Sequence, residues 1–147
     1  MKVDIEKPIN GWIKIDISEK DQQFSDTLSY TPEDFIYKLI ETLNLISSYE
    51  GKYIFEGFSE PIEYDFVFEA MDDNVVFQIV SKDGGNYKTL FKYEEQRNNI
   101  LTIFFRAISK MKSGIDDKEY KKSWCYDFPE LKFQKLKSYL KQIKKTV

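Results

Sequence analysis

The stretch FSEPIEYDFVFEA, residues 58–70, decides the fold because apolar and acidic side chains alternate along it. A period of two is typical of a β-strand with one buried and one exposed face. One side of this strand carries the apolar residues Ile62, Tyr64, Phe66, Phe68 and Ala70. The other side carries the carboxylates Glu63, Asp65 and Glu69, with almost no positive charge in the adjoining sequence. The stretch therefore predicts a core strand whose opposite face is acidic.

Segments on both sides of this stretch predict further strands and three helices. Alternation and turn residues favour strands over 11–18, 24–30, 52–58, 61–71, 74–82 and 87–93. Apolar stripes of helical period predict helices over 30–48, 94–114 and 127–145, the first capped by Thr31 and the last by Asp127, with 115–126 irregular. We expect an α+β fold in two layers, a mostly antiparallel sheet with helices packed on one face. Residues 1–147 are expected to form a single domain.

The residue types that are missing narrow the possible chemistry. The chain of 147 residues has no histidine and one cysteine, Cys125. This composition removes Ser-His-Asp and Cys-His catalysis, the usual zinc sites and an internal disulfide. The sequence therefore predicts no cofactor and no metal, and it leaves only chemistry based on carboxylates, lysine or tyrosine.

Charge is divided unevenly along the chain. Residues 1–109 contain 11 basic and 20 acidic residues, whereas residues 110–147 contain 11 lysines and 5 acidic residues. Six lysines surround the apolar stripe of the last predicted helix: Lys132, Lys135, Lys137, Lys141, Lys144 and Lys145. A solvated amphipathic helix is the simpler interpretation. The acidic total, the presence of only two arginines and the lack of a recognition motif argue against nucleic acid as a partner.

The acidic strand allows three interpretations. Antiparallel sheets often have a solvated polar face, and the carboxylates then have no further role. Alternatively, they form a negatively charged docking surface, for which the candidate residues are Glu56, Glu63, Asp65, Glu69, Asp72 and Asp73. A third interpretation is a carboxylate pair for acid–base catalysis or Mg²⁺ binding, but no nucleophile or base constellation accompanies it.

The order of motifs in residues 11–82 resembles small bacterial immunity proteins of polymorphic or contact-dependent toxin systems. The matching features are a strand led by Trp12, Ser25 and Ser29 before a helix that opens at Pro32, and Glu60-Pro61 before the alternating strand Tyr64 to Phe68. Such proteins are not enzymes, and they block the active site of a cognate toxin. The resemblance implies a toxin as partner, and a basic nuclease would suit an acidic surface.

The sequence as a whole predicts a non-catalytic, soluble cytoplasmic binding protein, with an immunity protein as the leading hypothesis. The alternative is an interaction or assembly module, for which a homodimer is an option, and a carboxylate enzyme is less favoured. No membrane partner is expected because the longest apolar runs, such as ILTIFF at 100–105, are short.

Overall fold

The computed structural model describes residues 1–145, and within them the chain has the α+β fold that the sequence predicts. The elements are β1 (Lys2–Ile5), β2 (Trp12–Glu19), β3 (Gln22–Ser29), α1 (Phe35–Ser48), β4 (Gly51–Phe58), β5 (Glu63–Met71), β6 (Asn74–Asp83), β7 (Asn86–Gln96), α2 (Arg97–Ser113), α3 (Asp117–Trp124) and α4 (Glu130–Lys145). All paired strands are antiparallel. Among residues 1–145, no helix has the length and apolar character needed to cross a lipid bilayer.

The strands divide between two sheets, where the sequence predicts one. One sheet has the order β1-β2-β3 and the other the order β4-β5-β6-β7. Within each sheet, strands that are consecutive in sequence are joined by short connections and pair as neighbours. The 14-residue helix α1 lies between β3 and β4 in sequence and keeps the two meanders separate.

Helices α1 and α2 pack on one face of the four-stranded sheet, which we call the inner face. Phe35 of α1 lies edge-on to Phe66 of β5 with ring centroids 4.9 Å apart, and Phe104 of α2 lies 5.4 Å from Phe68. Helix α4 packs on α1 and α2. The six predicted stripe residues of α1 are all buried, which confirms that prediction: Phe35, Ile36, Leu39, Ile40, Leu43 and Ile46.

The three-stranded sheet joins the four-stranded sheet through β3. The ring of Phe24 packs edge-on against Tyr64 and Phe66 of β5, at centroid distances of 5.0 and 5.9 Å. Asp26 accepts hydrogen bonds from the hydroxyls of Ser59 and Tyr64. The two sheets therefore share one hydrophobic core, and the hydrogen bonds to Asp26 lie at its edge.

Two elements were not predicted, and all three predicted helices begin later than predicted. Strand β1 pairs with β2, and α3 occupies part of the segment expected to be irregular. The N-cap of α3 is Asp116, whose carboxylate accepts from the backbone N–H of Glu119 at 2.8 Å. Helix α1 is capped by Asp34 rather than Thr31, and α4 begins at Glu130, beyond the proposed cap Asp127.

Asp34 joins the start of α1 to α3. One carboxylate oxygen, Oδ1, accepts from the backbone N–H of Tyr37 at 3.1 Å and from Trp124 Nε1 at 2.8 Å. Trp124 is fully buried, so its indole N–H depends on this acceptor. Burial raises the pKa of Asp34 above its usual value, although the hydrogen bonds from Trp124 and Tyr37 oppose the shift.

Removing the hydroxyl of Tyr120 is expected to cost no stability. Tyr120 is fully buried on α3, and its hydroxyl has no hydrogen-bond partner within residues 1–145. We expect Tyr120→Phe to leave the free energy of unfolding unchanged or raise it by up to about 1 kcal/mol, because an unpaired buried hydroxyl is destabilising. Urea unfolding of both proteins measures this difference.

The matched control is Tyr64→Phe, since the Tyr64 hydroxyl donates to Asp26. That variant should lose about 1–2 kcal/mol, because a half-buried carboxylate loses a donor. A loss of similar size in Tyr120→Phe would show that the Tyr120 hydroxyl is hydrogen-bonded in solution, for example to a buried water.

Candidate protein-binding face

The outer face of the four-stranded sheet is the side opposite α1 and α2. Strand β5 alternates as predicted, with Tyr64, Phe66, Phe68 and Ala70 buried on the inner face. Glu63 is exposed, and Asp65 and Glu69 are half-buried on the outer face. Glu63, Asp65 and Glu69 therefore share one face, as the alternation indicates.

Lys82, a lysine distant from these carboxylates in the sequence, lies among them in the structure. Lys82 Nζ, from β6, is 2.8 Å from Glu56 Oε2, 3.1 Å from Asp65 Oδ1 and 4.0 Å from Glu63 Oε2. Glu56 and Asp65 are direct neighbours in the β4–β5 register. The expectation of almost no positive charge near this strand is therefore wrong, because β6 brings a lysine across to it.

The carboxylates shift the titration of Lys82. The hydrogen bond that Lys82 donates to Glu56 raises the pKa of the lysine, and Asp65 adds to this effect against partial desolvation. The ammonium group is accordingly charged at neutral pH. One positive charge shared among three carboxylates leaves this end of the sheet negative.

Glu69, Asp72 and Asp73 lie at the other end of β5. Glu69 is opposite Lys52 of β4 in the register, but its carboxylate forms no ion pair within the part of the chain that the structure describes. The chain between Glu63 and Asp72 is extended over about 30 Å. The six predicted residues therefore form two acidic groups at opposite ends of the strand, rather than one cluster.

Asp72 and Asp73 have a structural role through their backbone. Their carbonyl groups accept hydrogen bonds from Arg97, Asp72 from the guanidinium and Asp73 from the backbone N–H at 2.6 Å. The backbone N–H of Asp72 donates to Glu50 Oε1 at 2.8 Å. Both side chains remain exposed, so the two carboxylates are free to meet a partner while the turn is held in place.

Apolar side chains lie between the two acidic groups. Ile54 of β4, Val67 of β5 and Gln78 of β6 form one row across the sheet. Val67 is buried, whereas 54% of Ile54 is exposed, and Met71 at the strand end is 63% exposed. Ile54 therefore supplies exposed apolar area between the two acidic groups, and Met71 supplies it beside Asp72. Apolar area among charged side chains is expected of a protein-binding surface.

The lysines of α4 fit the amphipathic interpretation. Phe133, Leu136 and Leu140 are buried, and the six lysines are exposed or half-buried around them. Lys132 Nζ lies 5.4 Å from the ring centre of Tyr37, a cation–π contact within the protein. Tyr37 is half-buried beside the apolar stripe of α1.

Among residues 1–145, no group of three or more acidic, cysteine or histidine side chains is arranged to hold a metal ion. The lone Cys125 is exposed and adopts a left-handed backbone conformation at the C-terminus of α3. It is therefore not part of the core. Comparison with protein-family models, curated proteins and solved structures gives no match for this chain.

Proposed function

We propose that this chain is a non-catalytic binding protein that neutralises a cognate bacterial toxin by covering its active site. The observation that carries the proposal is the outer face of the four-stranded sheet. This face presents carboxylates at both ends of β5 and leaves Ile54 and Met71 exposed. The resemblance of residues 11–82 to immunity proteins supplies the class of partner.

The two parts of the face have separate roles in the proposed complex. The carboxylates attract a basic surface over a distance and speed association, since steering of this kind depends on the summed charge. Lys82 lowers this charge but holds Glu56 and Asp65 in fixed positions. The exposed Ile54 and Met71 supply apolar area, which contributes affinity once the surfaces have met.

We expect tight binding to the protein encoded directly upstream, with an association rate that falls as salt is added. The double variant Glu63→Gln/Glu69→Gln should associate roughly tenfold more slowly at low salt, because both charges lie on the outer face. Neither residue makes a contact on which the fold depends: Glu63 is 4.0 Å from Lys82, and Glu69 has no ion pair among the described residues. Surface plasmon resonance at two salt concentrations measures the rates.

The matched control is Glu6→Gln, which removes one exposed carboxylate from outside the four-stranded sheet. This variant should associate nearly as fast as the wild-type protein. The proposal fails if the upstream protein does not bind, or if it binds without losing its toxic activity. If the control slows association as much as the double variant, the binding surface is not the outer face.

A further inference from the structure

The outer edge of β4 is open. Strand β4 has eight residues and lies at the end of the four-stranded sheet. In an antiparallel pair, every second residue directs its backbone N–H and C=O away from the neighbouring strand. Within residues 1–145, these groups of β4 receive no hydrogen bond from any other element. An open edge of this length is a template for another strand.

The opposite edge of the same sheet is protected. The side-chain amide of Gln22 binds both backbone groups of Lys92 on β7, accepting from its N–H at 2.8 Å and donating to its C=O at 2.9 Å. At this position of β7 the amide occupies the place of a neighbouring strand. Strand β4 has no such side-chain cover among residues 1–145.

A groove of about 450 Å³ runs between β4 and α1 beside this edge. Its lining includes Ile54 and six charged residues, two lysines and four carboxylates: Lys38, Lys52, Glu33, Glu41, Glu56 and Asp65. The groove therefore carries both signs of charge, with an excess of acidic side chains. Such a lining is complementary to a partner surface that also carries both signs of charge, with each charge opposite one of the other sign.

We propose that the occupant is a second copy of this chain, with β4 paired antiparallel to its counterpart about a two-fold axis at Ile54. The outer-face residues of β4 read Lys52, Ile54, Glu56, a pattern that is complementary to itself when reversed. Lys52 then lies opposite Glu56 of the partner subunit, and the two exposed Ile54 side chains meet at the axis. Because of the two-fold symmetry, the Lys52–Glu56 pair occurs twice in the dimer.

The α1 side of the groove also carries charged side chains. Lys38 and Glu41 are half-buried, and neither forms an ion pair within the part of the chain that the structure describes. Both are consequently available to pair across the interface. The inference rests on the edge and its sequence, not on the proposed toxin partner.

Sedimentation velocity on the full chain, from micromolar to near-millimolar concentration, tests the proposal. The wild-type protein should form a dimer. Lys52→Glu and Glu56→Lys should each weaken it by roughly tenfold or more, because each places like charges opposite one another twice. An equimolar mixture of the two variants should recover the dimer, since every opposed pair in the mixed species is again of opposite charge.

Lys14→Glu is the matched control, because Lys14 is an exposed lysine on the other sheet. It should dimerise as the wild-type protein does. A wild-type chain that stays monomeric throughout the range overturns the proposal. So does a Lys52→Glu variant that dimerises normally, or a mixture that fails to recover the dimer while both variants show native circular dichroism.

Discussion

Replacing Asp34 with alanine is expected to lower the free energy of unfolding by about 2–4 kcal/mol, the sum of a lost helix cap and an orphaned buried donor. The carboxylate caps α1 through the backbone N–H of Tyr37. It is also the acceptor for Trp124 Nε1, in a side chain that is fully buried. Alanine leaves both donors without a partner, and the indole cannot turn towards solvent. Urea unfolding at neutral pH measures the loss.

Asp34→Asn is the matched control, because an amide oxygen can accept both hydrogen bonds without carrying a charge. Burial raises the folded-state pKa of Asp34 above its usual value of 3.8. Ionised Asp34 therefore costs stability at neutral pH, and this cost disappears as the pH falls through the raised pKa. We expect Asp34→Asn to match or exceed the wild-type stability near pH 7, and its advantage to shrink at acidic pH.

The two variants distinguish the contribution of the hydrogen bonds to stability from that of the negative charge. If Asp34→Asn is as unstable as Asp34→Ala, the negative charge itself stabilises the junction of α1 with α3, and the desolvation argument is wrong. If Asp34→Ala is nearly as stable as the wild-type protein, water replaces the carboxylate at Trp124. Either result would be visible in a single series of denaturation curves.

Local periodicity was sufficient to predict most of the fold. The stripe of α1 and the alternation of β5 each follow from residues that are neighbours in sequence, and both are confirmed. The overlooked helix α3 also has a local signal. Asp116 lies three residues before Glu119, the spacing of an N-terminal cap, and the buried Tyr120 and Trp124 are four residues apart.

The place of Lys82 could also have been deduced from the sequence. Met71 pairs with Asn74 across the two-residue turn Asp72-Asp73, and this register leads to Tyr64 opposite Ser81. The next pair in this register places Lys82 opposite Glu63. Reading the hairpin from its turn would therefore have placed a lysine beside the acidic residues. Strands β5 and β6 were both predicted, but the pairing register between them was not.

Other features depend on contacts between distant parts of the chain. Asp34 and Trp124 are separated by 90 residues, so no local pattern indicates that the carboxylate of Asp34 also accepts from the indole N–H. The division into two sheets likewise depends on how β3 packs against β5 through Phe24. Local propensity does not distinguish one sheet from two. Side-chain packing between residues that are distant in sequence decides between these arrangements.

Replacing Lys82 with glutamine is expected to lower the free energy of unfolding by about 1–3 kcal/mol, between the values for exposed and buried ion pairs. The side chain of Lys82 is 19% exposed and that of Asp65 is 21% exposed, so solvent screens their interaction only in part. Because the folded-state pKa of Lys82 is raised, its contribution is fully present below the usual lysine pKa. The loss should be constant through neutral pH and should disappear only as strongly alkaline pH deprotonates the wild-type lysine.

The same variant should have the opposite effect on partner binding. Removing Lys82 leaves Glu56, Glu63 and Asp65 without their shared cation, so the outer face becomes more negative. A basic partner should then associate faster at low salt, although the protein is less stable. Lys88→Gln removes an exposed lysine of β7 that has no ion pair among the described residues, and its stability should change by less than about 0.5 kcal/mol. If Lys82→Gln instead slows association, the partner recognises the ordered ion-pair network, and the negative charge of the outer face is not what attracts it.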